Sequence, residues 1–253
     1  MARALVTLLS DFGTADGYVA EMKGMLLTEA SEATVVDVSH DVAAQDVDGA
    51  RLALARYWKR FPEGAIHVVV VDPGVGTERR AIAVESQRRF LVGPDNGVLS
   101  PALLAPGARI VSLPIPHSAS ATFHGRDVFI PAAVHLAQGH GFDALGPPVD
   151  DPIVRRTPEP RRAADGAIEG QVVTVDRFGN LITNLIGVRG GMAVVGKRVA
   201  PVRRTYGDVK PGELVALVGS SGLLEIAVRD GHAAATLGVR RGDAVTLRGG
   251  AGA

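Results

Sequence analysis

Short apolar runs alternate with longer amphipathic stretches over the first 146 residues of the chain. Short runs rich in Val, Ile and Leu are typical of buried strands, and longer stretches with one apolar face are typical of helices. The predicted strands cover residues 4–10, 34–38, 65–71, 81–85, 89–92 and 109–113. The predicted helices cover residues 18–29, 47–60 and 127–138, and Asp127 is expected to cap the last of them. Strands that alternate with helices predict an α/β sandwich-like domain with a central, mostly parallel sheet.

A Pro- and Arg-rich segment interrupts this alternation. Residues 151–166 contain three prolines and four arginines without a sustained period, which predicts a linker between an N-terminal domain at 1–150 and a C-terminal domain at 167–253. Phosphate contact by these arginines is the alternative to a solvated connector. Further along, short apolar runs split by glycines predict strands at 167–175, 181–185, 213–218, 223–227 and 244–248. They favour a smaller, β-barrel-like C-terminal domain.

Composition and charge exclude several classes of protein. Of the 253 residues, 46% are apolar, which is enough for a substantial core. The 27 basic residues balance 27 acidic ones, so no net charge draws the chain to nucleic acid or to a lipid surface. The apolar run at 4–9 lacks a cleavage-like site, and no run approaches the roughly 20 residues of a membrane span. Since cysteine is also absent, we expect a soluble, cytoplasmic protein that binds neither nucleic acid nor membrane.

One predicted strand runs directly into a charged Gly/Pro turn. The apolar residues 69–71 precede Asp72, a proline and two glycines break the strand, and Arg79 and Arg80 follow. Ligands of open α/β sheets bind at the carboxyl ends of the strands, so this turn is a candidate rim of an active site. An ordinary strand exit with a solvated ion pair is the alternative.

Two further polar segments belong to the same predicted domain. Asp11 follows the first strand in S-D-F-G-T, where an acid either accepts the hydroxyls of a ribose or caps a helix. His124 lies in F-H-G-R-D, where it serves either as a proton acceptor or as a structural turn residue. The sequence contains no G-x-G-x-x-G after its first strand, no G-x-x-x-x-G-K-[ST] and no H-E-x-x-H. Neither a pyrophosphate cradle nor a metal site is therefore predicted.

The C-terminal domain has two candidate binding loops. In D-R-F-G-N, Asp176 is suited to pair with an ammonium group of a ligand and Asn180 to contact a base edge. The same residues also suit a plain hairpin turn. In G-S-S-G, Ser220 is suited either to bind a carboxylate or simply to turn the chain.

Taken together, six ordered motifs resemble the S-adenosylmethionine hydroxide adenosyltransferases, which are S-adenosylmethionine hydrolases related to fluorinating and chlorinating enzymes. The resemblance extends over nearly the whole chain. The motifs are L-L-S-D-F-G-T-A-D-G-Y-V-A-E-M-K-G at 8–24, V-V-D-P-G-V-G-T-E-R-R at 70–80, G-P-D-N-G-V-L-S-P at 93–101, T-F-H-G-R-D at 122–127, D-R-F-G-N-L-I-T-N at 176–184 and G-S-S-G-L-L-E-I-A at 219–227.

The resemblance implies an assembly, a reaction and a set of residue roles. It implies a homotrimer with sites at the subunit interfaces, and hydrolysis of S-adenosylmethionine to adenosine and methionine without a metal or cofactor. Matched by motif, Asp72, Arg79 and His124 ready the attacking water, and spacing from Asp72 favours Arg79 over Arg80. The implied substrate contacts are Asp11 with the ribose, Asp176 with the methionine ammonium group, Asn180 with adenine and Ser220 with the amino-acid end.

Two alternatives to hydrolysis stand beside this prediction. The halogenating relatives, as the resemblance implies, carry an inserted loop in the first domain and lack the Asp-Arg-His set. Here residues 80–93 show no insertion and Asp72 is present. A module that only binds adenosine or S-adenosylmethionine would need no group that activates water. Hydrolysis is therefore favoured over both.

Overall fold

The computed structural model describes residues 3–249. It divides into two compact units, and the boundary along the chain falls between Arg156 and Thr157. This boundary lies inside the segment 151–166 that the sequence predicts as a linker.

A six-stranded sheet forms the centre of the first unit. Its elements are β1 (Leu5–Ser10), α1 (Tyr18–Glu29), β2 (Thr34–Ser39), α2 (Val47–Tyr57, followed by a 3₁₀ turn at Trp58–Arg60), β3 (Ile66–Val70), β4 (Ala81–Ser86), β5 (Arg89–Pro94), α3 (Ser100–Leu103), β6 (Arg109–Leu113) and α4 (Ile130–Ala137). The strand order is β2-β1-β3-β5-β4-β6. Strands β2, β1, β3 and β5 run parallel, and β4 is antiparallel to both of its neighbours. The predicted central, mostly parallel sheet is confirmed.

The two faces of this sheet enter two separate cores. On one face, Leu8 and Val68 pack with α1 and α4. On the other face, Leu9 and Val69 pack with α2 and α3. Successive side chains of a strand point to opposite faces, so the nearly continuous apolar runs of β1 and β3 fill both layers. This packing holds the ends of both strands in place.

The start of the last α-helix of this unit differs from the prediction. A π-helical turn over Gly125–Phe129 comes first, and α4 begins only at Ile130, so the prediction that Asp127 caps the helix is wrong. The Asp127 carboxylate instead accepts a hydrogen bond from the Ser120 N–H at 2.8 Å. Pro131 accounts for the wide turn, because proline has no N–H to donate to the carbonyl four residues earlier.

The second unit is an antiparallel sheet that nearly closes on itself. Its elements are β7 (Arg161–Arg162), β8 (Ile168–Val175), β9 (Leu181–Ile186), β10 (Met192–Val195), β11 (Arg198–Pro201), β12 (Leu214–Val218), β13 (Leu223–Val228), α5 (Ala233–Leu237) and β14 (Ala244–Arg248). The strand order is β11-β10-β14-β8-β9-β13-β12, with β7 paired to β8. A bridge between Val202 and Ala216 brings the two ends of this order together. The predicted β-barrel-like domain is confirmed.

The sequence predicts five of these eight strands and misses β7, β10 and β11. Strands β10 and β11 have four residues each and form a tight hairpin, in which Met192 and Val199 remain exposed. Strand β7 has two residues and lies inside the predicted linker. Such short segments carry too few apolar positions for a period to be recognised. Within residues 3–249, no helix combines the length and the apolar character needed to cross a membrane.

Candidate active site

Two neighbouring parallel strands bring two acids to one edge of the first sheet. Asp11 follows β1 directly, and Asp72 comes two residues after the end of β3. Both acids line a cavity of about 380 Å³, a volume typical of small-molecule sites. The other residues that line the cavity include Phe12, Tyr18, Gln45, Phe123 and His124.

Arg79 joins Asp72 and His124 into one hydrogen-bonded group. Its Nε donates to Asp72 Oδ1 at 3.1 Å, and its Nη2 donates to Asp72 Oδ2 and, at 3.0 Å, to His124 Nδ1. Its Nη1 donates to the carbonyl of Arg80 at 3.0 Å, and its guanidinium carbon lies 5.6 Å from the ring centre of Phe129. The exposed fractions are 5% for the Asp72 side chain, 8% for that of Arg79 and 3% for His124. The group is thus fixed by several hydrogen bonds and largely shielded from bulk water.

A glycine allows the loops that carry this group to meet. Gly76 has a φ of +75°, and a Cβ atom there would lie 2.3 Å from the carbonyl oxygen of Ala121. Any side chain at this position would push the loop of Asp72 and Arg79 away from the loop of His124.

The two arginines of this turn have different partners. Arg80 Nε donates to Asp95 Oδ2 at 2.9 Å, and Arg80 Nη1 donates to Asp151 Oδ1 at 2.6 Å. Arg79 therefore contacts both Asp72 and His124, whereas Arg80 serves a separate ion-pair group.

Burial shifts the protonation of Asp72 and His124 in opposite directions. Burial raises the pKa of the Asp72 carboxyl, and the adjacent Arg79 offsets this only in part. Burial, and after it the charge of Arg79, lowers the pKa of His124 below its ordinary value of 6.5. His124 is therefore neutral at pH 7.

The Arg79 contact also fixes where the His124 ring carries its proton. A guanidinium donates hydrogen bonds and accepts none, so Nδ1 of His124 is the acceptor in its contact with Arg79. A neutral imidazole then carries its proton on Nε2. The proton-accepting role that the sequence predicts for His124 requires a free lone pair, whereas this arrangement presents Nε2–H as a donor.

Asp11 is oriented by a main-chain group that no sequence motif reveals. The N–H of Gln45 donates to Asp11 Oδ2 at 2.7 Å. Gln45 has a φ of 65°, a left-handed backbone conformation that non-glycine residues seldom adopt and that is often found at functional sites. The second carboxylate oxygen of Asp11 remains available to a ligand.

Three aromatic rings line the same cavity and were not predicted as site residues. Phe12, Tyr18 and Phe123 lie with ring centres 5.2–5.8 Å apart. All three stand inside the motifs of the family resemblance, so the motifs were the signal that could have found them. Phe129, which lies against Arg79, was likewise missed, because it stands two residues beyond T-F-H-G-R-D.

The remaining predicted residues lie in the second unit. Asp176 Oδ1 accepts from the N–H groups of Phe178 and Asn180 at 2.9 Å each, and its Oδ2 accepts from Asn180 Nδ2 at 3.1 Å. Asn180 is buried, while the Phe178 ring is exposed. The second unit thus brings Asp176 and Asn180 into direct contact.

Ser220 is exposed in its own turn, which the N–H of Gly222 closes by donating to the Gly219 carbonyl at 2.9 Å. The buried Glu225 carboxylate lies against this turn and accepts a hydrogen bond from the Tyr206 hydroxyl. Burial, with the charge of Glu225, raises the pKa of Tyr206 to about 12. Neither Glu225 nor Tyr206 was singled out from the sequence as a site residue.

Across the described residues, no group of three or more His, Cys, Asp or Glu side chains is arranged to hold a metal ion.

Comparison with known proteins gives consistent matches over both units. Residues 6–146 match the SAM hydroxide adenosyltransferase N-terminal domain, and residues 170–246 match the SAM hydroxide adenosyltransferase C-terminal domain. The chain is 46% identical to a protein of Thermus thermophilus named (R)-S-adenosyl-L-methionine hydrolase, over 96% of this chain and 98% of that protein. A fluorinase of Nocardia brasiliensis is more distant, at 28% identity over 89% of this chain and 90% of the fluorinase.

A solved structure is similar over almost the full length. The crystal structure of an uncharacterized conserved protein from Thermotoga maritima aligns with a TM-score of 0.87 and 32% identity, covering 96% of this chain and 99% of that one.

Proposed function

The chain belongs to the SAM hydroxide adenosyltransferase family, and from this premise we propose that it is an enzyme that hydrolyses S-adenosyl-L-methionine to adenosine and L-methionine. The observation that carries the proposal is the buried group of Asp72, Arg79 and His124 at a cavity that Asp11 also lines. The Thermus thermophilus relative named as a hydrolase of this substrate supports it.

The chemistry of the substrate explains why the protein must act on water. A water oxygen forms a bond to C5′, the C5′–S bond breaks with its electron pair passing to sulfur, and one water proton is released. Methionine leaves as a neutral thioether, so its departure needs neither an acid nor a metal or other cofactor. Water itself has a pKa of about 15.7, so the nucleophile is where help is needed. We expect an in-line displacement with inversion at C5′ and no covalent enzyme intermediate.

We assign the three buried side chains complementary roles. His124 donates from Nε2–H to the water oxygen and holds it behind C5′. The Asp72 carboxylate, whose pKa burial raises, accepts the proton of the water. Arg79 fixes the positions of both partners and stabilises negative charge that develops on the oxygen. General-base help of this kind contributes roughly 10²–10⁴ in rate, and positioning adds to it.

Four further residues bind the substrate in this proposal. Asp11 accepts the ribose hydroxyls with the carboxylate oxygen that Gln45 leaves free. The family resemblance supports the roles of the other three, which are Asp176 for the methionine ammonium group, Asn180 for adenine and Ser220 for the amino-acid end.

The same resemblance supports a homotrimer with its sites at the subunit interfaces. We also propose a cytoplasmic location, because a chain without cysteine is suited to a reducing compartment.

Incubation with S-adenosylmethionine in ¹⁸O-labelled water tests the reaction. We expect equal amounts of adenosine and methionine, with the label in the 5′-hydroxyl of adenosine. Label-free adenosine, or no adenosine at all, would rule out this hydrolysis.

A matched pair of variants tests the site. Asp72→Asn should lower kcat about 100-fold or more while adenosine still binds. Asp41→Asn, which alters an exposed acid that does not line the cavity, should leave kcat unchanged. Equal activity of the two variants would remove Asp72 from the mechanism.

A further inference from the structure

A buried hydrogen-bonded chain lies behind Asp11 and takes no part in the mechanism above. Ser10 Oγ and His40 Nδ1 are 2.7 Å apart, and His40 Nε2 and Asp37 Oδ1 are 3.1 Å apart. Only 1% of Ser10 and 6% of His40 are exposed. The three residues come from the end of β1, from β2 and from the loop after β2.

Each hydrogen bond in this chain has a defined direction. A carboxylate accepts only, so Nε2–H of His40 donates to Asp37, and in the tautomer with this single ring proton Nδ1 is an acceptor. The hydroxyl proton of Ser10 therefore donates to Nδ1, and the Ser10 oxygen is free to accept the Phe12 N–H, which lies 3.4 Å away. Lys23 anchors the far end by donating to Asp37. Every partner in the chain is thus satisfied in a single arrangement.

This chain is attached to the backbone on both sides of Asp11. The Ser10 hydroxyl precedes Asp11 and accepts from the N–H of Phe12, and the N–H of Gly13 donates to the His40 carbonyl at 2.8 Å. The Gln45 bond to Asp11 Oδ2 supplies the remaining restraint. The carboxylate of Asp11 is therefore held by groups that act through its neighbours.

A Ser-His-Asp series also suggests a nucleophile, but burial excludes that role here. Ser10 does not line the cavity, its exposure is 1%, and its oxygen accepts a main-chain N–H. The series has the form of a carboxylate that orients a histidine, which in turn orients a third group.

We propose that His40, fixed by Asp37 and acting through Ser10, is a positioning residue that aims the Asp11 carboxylate at the ribose hydroxyls of the substrate. The inference rests on the proposed function, because it takes Asp11 as the ribose-binding acid. The buried chain of Ser10, His40 and Asp37 thereby makes the site prefer a ribonucleoside over a 2′-deoxyribonucleoside. A carboxylate that loses its orientation loses that selection before it loses adenine binding.

The experiment compares the affinities of adenosine and 2′-deoxyadenosine by calorimetry on the protein of residues 1–253. A hydrogen bond to a charged group is worth about 10- to 100-fold in affinity, so wild-type protein should prefer adenosine by roughly that factor. His40→Leu and the milder Ser10→Ala should each reduce this preference at least about fivefold. Combining His40→Leu with Asp11→Ala should reduce it no further than Asp11→Ala alone.

Another histidine of the protein, His67, provides a matched control. Its Nδ1 also bonds a β1 hydroxyl, that of Thr7 at 2.8 Å, and it is also buried, but its ring packs against Tyr57 and Phe61. His67→Leu should therefore keep the wild-type preference although it also removes a buried histidine. An equal loss of preference in His67→Leu would show that the loss in His40→Leu comes from general destabilisation, and this result would overturn the proposal.

Two other outcomes separate this inference from its premise. Wild-type protein that binds both nucleosides equally would overturn the ribose role of Asp11 and the inference with it. A clear wild-type preference that persists in folded Ser10→Ala and His40→Leu would overturn the positioning role alone. If His40→Leu fails to fold, Ser10→Ala decides the question.

Discussion

Arg79 sets the protonation of its two neighbours because a guanidinium only donates hydrogen bonds. It keeps Asp72 paired as a carboxylate and takes up the Nδ1 lone pair of His124. The trio therefore differs from a triad in which the histidine receives a proton from a nucleophile. In the proposed mechanism, Asp72 is the base and His124 holds the attacking water.

We expect kcat to fall on the acid side only. His124 must be neutral to accept from Arg79, and burial lowers its pKa below 6.5. Asp72 must be ionised, and burial raises its pKa above 3.8. Activity should thus be level above the ordinary histidine pKa of 6.5 and decline only at lower pH, as steady-state kcat measured on both sides of that value can test. A rise in kcat through the alkaline range would contradict both assignments.

His124→Gln distinguishes a donor from a base. Glutamine keeps an N–H group but cannot take up a proton at these pH values, so we expect kcat within about tenfold of wild type. His124→Leu should lose about 100-fold or more. If Gln and Leu reduce kcat equally in variants with wild-type thermal stability, then His124 is the base.

At this scale, the sequence could supply the side chains of the trio but not the groups that orient them. The motifs of the family resemblance contain Asp72, Arg79 and His124, and the structure brings these side chains together. Gln45 acts through a main-chain N–H, which any residue but proline could offer. The protonated nitrogen of His124 also depends on a neighbour 45 residues away, so no local pattern encodes it.

Among the elements, the β4–β5 hairpin has a turn formed by residues that do not favour the backbone conformation of the turn. Ser86 pairs with Arg89, so Gln87 and Arg88 form a two-residue turn, and both have positive φ values of 47° and 58°. Such a turn strongly prefers Asn-Gly, since longer side chains crowd a left-handed backbone. The hairpin therefore retains strain that a substitution can remove.

Replacing Gln87-Arg88 by Asn-Gly should raise the free energy of unfolding by about 1 kcal/mol. Urea unfolding at neutral pH measures the change. The replacement also removes a surface ion pair between Arg88 and Glu63, so Arg88→Ala serves as the control and should change stability by less than about 0.5 kcal/mol. A less stable Asn-Gly variant would show that the turn is not strained.

Long elements were predictable and short or proline-dependent ones were not. Helix α1 matches its predicted bounds of 18–29, and the strands with continuous apolar runs were found within one or two residues. The π-helical turn before α4 was not predicted from the hydrophobic pattern. It arises because Pro131 has no N–H for the hydrogen bond that a regular α-helix would make there. The hairpin of β10 and β11 is stabilised by pairing with β14, which a local window does not contain.

For the whole molecule, the proposed trimer with sites between copies has a consequence that mixing can measure. Asp72→Asn inactivates the first unit and Asp176→Ala the second, so each variant alone should have little activity. After subunit exchange, about a quarter of the sites combine an intact first unit with an intact second unit from the next copy. Activity should therefore recover to about a quarter of the wild-type value.

The control mixes Asp72→Asn with Arg79→Ala, which both alter the first unit and should give no recovery. Light scattering establishes the mass of the assembly in the same samples. A monomeric mass, or no recovery after exchange has been demonstrated with labelled subunits, would contradict the assembly.

Because of the direction of its strands, the first sheet carries the candidate active site at one end and the Gln87-Arg88 turn at the other. Asp11 and Asp72 follow strands that end at one edge, while the turn of Gln87 and Arg88 lies where the parallel strand β5 begins, at the opposite edge. The six residues of β5 separate them by about 20 Å. A fluorescent dye or a surface tether attached at Gln87 would therefore report on or immobilise the protein while leaving the entrance to the cavity clear.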